Sequence, residues 1–435
     1  MTEIAAFRGV RYDAEIVRDV SKVVTLPYDK IDDAARERYY ARHELNVVRA
    51  TSGRDLASDS DLDDRSTRSR DFLARWLRDG FIVRDLRPAI YPYHVSYRAQ
   101  GVPAQKTRVS FVALAKVGGD AAAHLLPHER TMPKPFQDRL RLLETARCHL
   151  GPVFLLYDDP TATAERLLQR LTTGPAATEA THENERHRLW VADDPAVIAE
   201  VVSALAPLPC VVADGHHRLK VAHAYADARP DDLDSSFRMA AFVNVAGGNA
   251  IDVLPTHRLL RAPLPMPPAA VLDSLGAVGS VTEFPPGEEG EAEMIRALAA
   301  ARADKSRAIG VALARVPSTH LLRLDRFDAP EIDVEFLHEK ILAERLGVAP
   351  ESAADRLVFV RGTNETLSRF RAEGHAAAFL LNPVEVGDVF ARATAGRLVP
   401  QKTTDFHPKF LTGMVMNLLG SDADRLAAAP GGKRT

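Results

Sequence analysis

Apolar residues recur along this chain in two rhythms, one of helical period and one of strand period, and the places where one gives way to the other mark out its elements. Over residues 66–79, Phe72, Leu73, Trp76 and Leu77 fall at helical spacing, and a second helix is expected over 32–42. An extended stretch over 22–27 precedes both. Residues 89–97 and 107–117 are rich in aromatic and branched side chains and flank a turn containing Gly101, which predicts a hairpin. From there helix and strand alternate: helix 136–147, the apolar strand Val153-Phe154-Leu155-Leu156-Tyr157, a helix from Thr161, and a strand over 188–191. Helix 195–205 follows, then strand Cys210-Val211-Val212-Ala213, a helix through Tyr225, and a strand over 239–245. Pro195 stands in a first turn, where its missing N–H is no loss, behind the cap candidates Asp193 and Asp194. Alternation of this kind is α/β organisation.

Residues 261–268 hold four prolines and cannot belong to an internal helix or a central strand, so a boundary is placed there. Beyond it the pattern predicts helix 291–302, strands 308–314 and 321–324, helix 334–346, strand 357–360, a short helix from Asn364 and strand 377–381. The expected organisation is an N-terminal mixed segment over 1–85, a core over 86–262, a C-terminal α/β domain over 269–426 and a frayed tail over 427–435. The fold class is α/β, mixed α+β.

Composition alters this picture little. The chain's 435 residues suffice for two or three domains of about 150 residues each. With 56 basic against 59 acidic side chains, no global field favours nucleic acid or an anionic membrane, so any anion site must be local. Cys148 and Cys210 share no CxxC spacing and are expected as buried thiols; Trp76 and Trp190 are expected in the core or at its edge. The first thirteen residues lack a charged and apolar leader pattern, and no apolar run reaches membrane-spanning length. A cytoplasmic protein is expected, with neither nucleic acid nor membrane as partner; the oligomeric state stays open, a homodimer among the alternatives.

The densest chemistry follows strand 210–213, in Asp214-Gly215-His216-His217-Arg218. A strand ends, glycine permits a tight turn and a helix begins, which aims unpaired N–H groups out of the sheet and makes an anion site. His216, His217 and Arg218 add donors, Arg218 as a fork suited to phosphate oxygens, and Asp214 is placed to hold Mg²⁺ on the same phosphates. The competing reading has Asp214 as a helix cap and the histidines at the surface. In Pro127-His128-Glu129-Arg130-Thr131, the Glu beside the His suits a general base, against the alternative of a solvated helix start. A zinc or manganese hydrolase built on His128, Glu129, His216 and His217 is a third reading, but adjacent helical residues diverge by about 100° and no HExxH spacing occurs. Polar sets also recur at Pro27-Tyr28-Asp29, at Asn46-Val47-Val48-Arg49, at Thr256-His257-Arg258 and at Gln401-Lys402-Thr403-Thr404 with Lys409. The last is a Pro-bounded loop able to close over a phosphate or a carboxylate, or simply a solvated basic loop. Arg139, Arg141 and Arg147 are expected on a wet helix face.

Taken in order, Val24-Thr25-Leu26-Pro27-Tyr28-Asp29, Pro127-His128-Glu129-Arg130-Thr131, Gly151-Pro152-Val153-Phe154, Ala213-Asp214-Gly215-His216-His217-Arg218, Leu254-Pro255-Thr256-His257-Arg258 and Pro400-Gln401-Lys402-Thr403-Thr404 resemble the prokaryotic family catalogued as domain of unknown function 1015. The likeness spans nearly the whole chain. More distantly, Asp-Gly-His-His-Arg resembles the phosphate-binding turn of the ParB and sulfiredoxin superfamily, above all its free-serine kinases. That resemblance implies a ParB/sulfiredoxin-like nucleotide-binding core with additional N- and C-terminal α/β elements. It further implies ATP or ADP as phosphoryl donor, Mg²⁺ as cofactor at Asp214, and the hydroxyl of a free amino acid such as serine as acceptor. Glu129, Asp214 and His217 become the catalytic set; Gly215, His216, His217, Arg218 and His128 the phosphate and nucleotide cradle; Lys402, Thr403, Thr404, Lys409, His257 and Arg258 a substrate or phosphate loop. The chain between Glu129 and Asp214 is longer than in the compact kinases, so an insertion is expected. A nucleotide-responsive regulatory module, switched by CTP or ATP, is the alternative within the same superfamily, and a metal-dependent hydrolase the alternative outside it.

Overall fold

Val153–Tyr157 is buried at all five positions, as a strand covered on both faces must be, and it lies inside a ten-stranded mixed sheet. The computed structural model describes residues 1–98, 104–129, 136–246, 249–261, 263–324 and 332–420. The chain divides into two compact units: unit 1 is Met1–Asp252, Ala393–Gly396 and Pro408–Thr435, and unit 2 is Val253–Arg392 and Arg397–His407. Among the described residues no helix is long and apolar enough to cross a membrane.

The strands of the large sheet, all in unit 1, are β1 (Ile4–Ala5), β2 (Tyr91–Arg98), β3 (Gln105–Arg108), β4 (Phe111–Lys116), β5 (Leu125–Pro127), β6 (Val153–Tyr157), β7 (Thr178–His182), β8 (Glu185–Leu189), β9 (Cys210–Asp214) and β10 (Phe237–Asn244). They lie in the order β7-β8-β2-β4-β10-β6-β9-β5, with β1 beside β4 and β3 beside β2. Two neighbouring pairs are parallel, β10 with β6 and β9 with β5. The helices that concern the site are α1 (Asp33–Arg42), α2 (Arg65–Arg78), α3 (Phe136–Ala146), α4 (Thr163–Gln169), α5 (Pro195–Leu205) and α6 (His216–Asp227). Leu168 of α4, Val201 and Leu205 of α5, and Leu219 and Ala222 of α6 pack on Phe111, Leu155, Val212 and Phe242 of the sheet. Leu143 of α3 meets Val221 and Tyr225 on another side of α6, which fixes that helix from two directions.

The mixed α/β class read from the sequence is the class of the folded chain. Asp194 caps α5 through Ala196 N–H with Pro195 in the first turn, as expected. The hairpin differs. Its expected second arm, 107–117, is split because Val109 N–H donates to Asn249 Oδ1 and Ser110 Oγ donates to the carbonyl of Tyr93. The part through Arg108 pairs with Val95–Arg98 of β2, while β4 meets β2 at Val112 and Phe111 and pairs along its whole length with β10; Gly101 lies outside the described residues. The strand expected at 188–191 is the end of a β7–β8 hairpin whose first arm, Thr178–His182, is half-exposed and therefore too polar to stand out.

Unit 2 holds an antiparallel sheet of β11 (Thr256–Leu260), β12 (Gly279–Phe284), β13 (Ala308–Leu313), β14 (Thr319–Leu324), β15 (Leu357–Arg361) and β16 (Ala377–Leu381). The order is β12-β14-β13-β16-β11-β15. Its central strands are buried on both faces, against separate apolar clusters. Of the proline-rich stretch, Pro268 opens the helix Pro268–Gly276 as a first-turn proline. The helix expected over 334–346 is an α-turn, Asp333–Phe336, widening into π-helical Leu337–Ala343.

Candidate functional site

The parallel pairing of β5 with β9 sets Cys210 opposite Leu125 and Val212 opposite Pro127. Both chains therefore leave the sheet at the same edge, and the residues that follow, His128 and Glu129 from one and Asp214 to Arg218 from the other, share that edge. Gly215 adopts φ +95°, a left-handed conformation glycine takes without strain, and as the cap residue of α6 it has no side chain with which to cap the helix. A helix start of this kind directs its first-turn amides away from the helix body. Asp214 is not the cap residue, which sets aside that competing reading, and His216 is buried rather than on the surface.

His128 is fully buried and its Nδ1 donates to the carbonyl of Val212, which assigns the ring proton to that nitrogen. Its ring meets that of His216 edge-on, centroids 4.7 Å apart. Burial pushes His128 down to about 4 and holds His216 well below the usual histidine range, so both rings are neutral near pH 7. Glu129 Oε1 lies 3.8 Å from His216 Nδ1. His216 Nε2 is buried without a hydrogen-bond partner among the described residues. His217, one position on, is half-buried.

Asp214 gathers cations. Lys409 Nζ donates to its Oδ2 at 2.9 Å, and Arg218 Nη2 lies 3.6 Å from Oδ1. Burial alone would raise the Asp214 pKa, but Lys409, Arg218 and Lys30 outweigh it and hold the carboxyl well below the ordinary carboxylate value. Lys409 reaches this place because the segment after it runs back through unit 1, where Thr412 and Thr25 exchange backbone hydrogen bonds of 2.8 and 3.2 Å and Met416 pairs with Val10. The Lys22–Val24 backbone leading to Pro27 and Tyr28 is held by Asn46, whose Nδ2 donates to the carbonyl of Lys22 at 2.7 Å. That explains the buried Asn46 motif without giving it chemistry.

On its other side Arg218 borders a cavity of about 60 Å³, lined by Tyr28, Arg139, Cys148, Arg238 and Thr412 among others. Gly151 and Pro152 present successive carbonyls to two arginines: Arg238 Nη2 donates to Gly151 at 2.8 Å, and Arg218 Nη1 to Pro152. Arg139 stacks over the ring of Tyr28 at 4.3 Å and donates to the carbonyl of Thr51. Its side chain is only 11% exposed, so it does not belong to the wet helix face expected for it. Arg238 and the Lys409–Asp214 pair escaped the sequence reading. A lone charge in the otherwise uncharged run Phe237–Asn244 was the signal for Arg238; nothing local signals a partner for Lys409.

The remaining candidates lie in unit 2. Arg258 is fully buried and donates to the carbonyls of Thr256, Gln401 and Lys402, while its Nε donates to His338. His257 Nδ1 accepts from Leu381 N–H at 3.1 Å. Thr403 Oγ1 donates to the carbonyl of Pro400 at 2.5 Å, and Thr404 is half-buried beside it. Of the loop read as one set, then, Lys409 stands at Asp214 in unit 1, and Lys402, Thr403, Thr404, His257 and Arg258 belong to unit 2. Arg130 and Thr131 lie outside the described residues. Among the described residues no group of three His, Cys, Asp or Glu side chains is placed to hold a metal ion.

A model for the family described as "Protein of unknown function (DUF1015)" matches residues 4–343. No curated protein matches the chain. Among solved structures, a free serine kinase variant in complex with ADP is similar at 11% identity and a TM-score of 0.35, over 72% of this chain and 95% of that one. A conserved hypothetical protein from Pyrococcus furiosus is similar at 11% identity and a TM-score of 0.33, over 72% and 97%. C-terminally truncated SbnI from Staphylococcus aureus is similar at 13% identity and 0.34, over 68% and 82%.

Proposed function

The chain belongs to the DUF1015 family, whose description assigns no activity, and from that premise we propose that it is a phosphotransferase that moves a phosphoryl group from ATP or ADP to the hydroxyl of a small amino acid such as serine. One observation carries the reading: a carboxylate, Glu129, and a cation-rich helix start stand at one edge of the parallel β5–β9 pair, with Glu129 3.8 Å from His216. Lys409, Arg218 and Lys30 all act on Asp214, a concentration of basic side chains beside the turn that suits a phosphate.

In the reaction Glu129 takes the proton of the acceptor hydroxyl, whose oxygen bonds to the terminal phosphorus. The bond from that phosphorus to the bridging oxygen breaks, and ADP leaves when ATP is the donor, AMP when ADP is. The first-turn amides of α6, Arg218 and Lys409 hold the charge that develops on the phosphoryl oxygens, which is where catalysis of this type resides. The neutral His216 ring, beside Glu129, adds no charge that would lower the carboxylate's basicity. His217 and His128 complete the wall of the turn.

Mg²⁺ fits this site only as part of a metal–nucleotide complex. Asp214 is the carboxylate open to it, in competition with Lys409 and Arg218, and phosphate oxygens would supply the other ligands. Bound there, the ion would neutralise phosphate charge.

The test is incubation with ATP or ADP and a pool of hydroxy amino acids, with mass detection of a phosphorylated product. Glu129→Gln should cut turnover about 10²- to 10⁴-fold while leaving nucleotide affinity within about twofold. Wild-type turnover in that variant removes Glu129 as the base. Nucleotide binding with no product from any acceptor favours a regulatory module instead.

A further inference from the structure

Arg238 is a buried cation with no carboxylate partner among the described residues. It is 6% exposed, one of its nitrogens donates to the carbonyl of Gly151, and its Nε has no hydrogen-bond partner among the described residues. Burial lowers its pKa to about 9, so it stays charged at pH 7. The charged or titratable groups near it are Arg218, a like charge, and Cys148, Tyr28 and His149, all neutral because burial pushes the thiol up to about 12, raises the phenol and holds the imidazole well below its usual range. An unpaired buried guanidinium is costly, and the usual remedy is an anion with oxygens to offer.

The cavity that Arg238 borders has the size for one. About 60 Å³ exceeds the ~10–15 Å³ a single water needs and falls far short of the ~300–1,000 Å³ that holds a whole drug-sized ligand. It admits one oxyanion group and excludes a nucleotide. Leu142, Leu143 and Val221 make part of its wall apolar, which suits the two oxygens of a carboxylate better than a phosphate whose every oxygen demands a donor.

We propose that this cavity, bounded by Arg238, Arg218, Arg139 and Tyr28, binds the carboxylate of the acceptor, so that the acceptor is a hydroxy acid held by its acid end while its hydroxyl faces the turn. The proposal rests on the phosphotransferase reading for the word acceptor and on the unpaired Arg238 for everything else. Arg218 is then shared: its guanidinium closes the cavity on one side and meets Asp214 on the other.

The experiment is isothermal titration of the full chain, without nucleotide, using L-serine, L-threonine and L-homoserine, the amino alcohol of each, and inorganic phosphate. At least one amino acid should bind at least tenfold more tightly than its alcohol. Arg238→Lys, which keeps the charge and loses the fork, should weaken that binding at least tenfold, and Arg238→Met should abolish it. Methionine matches the buried volume and removes the unpaired charge, so that variant should fold; if it does not, the lysine variant decides. Equal binding of acids and alcohols overturns the proposal, as does binding of inorganic phosphate alone. Arg238-dependent binding of the amino acid with no phosphorylated product supports the subsite and sinks the transfer reading, whereas product formed equally well by Arg238→Lys does the reverse.

Discussion

Glu129 Oε1 and His216 Nδ1 lie 3.8 Å apart although they follow different strands of the sheet. The cause is register: with Pro127 opposite Val212 in a parallel pair, both strands discharge their next residues at the same edge. The long chain between them, expected as an insertion, folds into α3, β6, α4, the β7–β8 hairpin and α5. A parallel pair needs such a crossover in any case.

The neutral histidines behind that edge make stability depend on acid. His128 has its pKa pushed from 6.5 to about 4 by burial, so below pH 6.5 the unfolded chain binds a proton that the folded chain refuses. Stability should therefore fall as pH drops from about 6.5 to about 4, by about 3 kcal/mol for this ring, and this loss should level off below. Denaturant titration across that range, on wild type and on His128→Gln, measures it. The variant should show a shallower slope; an equal slope in both places the acid sensitivity elsewhere.

Asp214 works in the opposite sense. Its folded pKa is depressed by Lys409, Arg218 and Lys30, so its contribution is present above the unfolded carboxylate value near 4 and is lost as pH falls below it. Asp214→Asn should cost about 2–4 kcal/mol at pH 7, because it removes a carboxylate on which several cations act. The penalty should shrink below pH 4. Adding Lys409→Met to it should restore part of the loss, a non-additivity that a double-mutant cycle reads directly.

Gly215 carries two constraints that can be separated. Its φ of +95° penalises any side chain, and an added Cβ would stand 2.9 Å from Arg218 Nε. Gly215→Ala should lose about 1–3 kcal/mol of stability and also weaken ADP binding, since the guanidinium must move. Asparagine tolerates left-handed backbone better than alanine. Gly215→Asn should thus regain part of the stability and none of the affinity; recovery of both would mean that Arg218 does not contact the nucleotide.

How much of this was legible depends on whether the cause was local. Val153–Tyr157 and Pro195–Leu205 read directly, one as five apolar residues covered on both faces and the other through Asp194 and Pro195 at its start. The turn at Gly215 was equally plain, because strand end, glycine and basic cluster are contiguous. What escaped depended on contacts distant in sequence. Leu125–Pro127 is only three residues long and ends in proline, so nothing local marks it as the neighbour of β9. Lys409 pairs with a residue 195 positions away. Arg238 stands one residue before the strand expected at 239–245, where a charge reads as a boundary rather than as part of the wall of a cavity.

Arg258 offers the sharpest choice between an anchoring role and a ligand contact. Read from sequence beside Thr256 and His257, it is a candidate for phosphate; in the fold it is fully buried and donates to the carbonyls of Thr256, Gln401 and Lys402. Lys402 is left-handed at φ +57°, a conformation that a non-glycine residue keeps only where its surroundings hold it. His338 takes the remaining bond at 3.2 Å, and burial together with the nearby Arg258 pushes its pKa down to about 3, so it accepts as a neutral ring. Arg258→Met would strip three carbonyls and an imidazole of their donor at once, and should cost unit 2 about 3–5 kcal/mol. ADP affinity, measured at a temperature where the variant remains folded, should stay within about twofold of wild type. A tenfold weaker affinity with unchanged stability would instead make Arg258 a phosphate ligand.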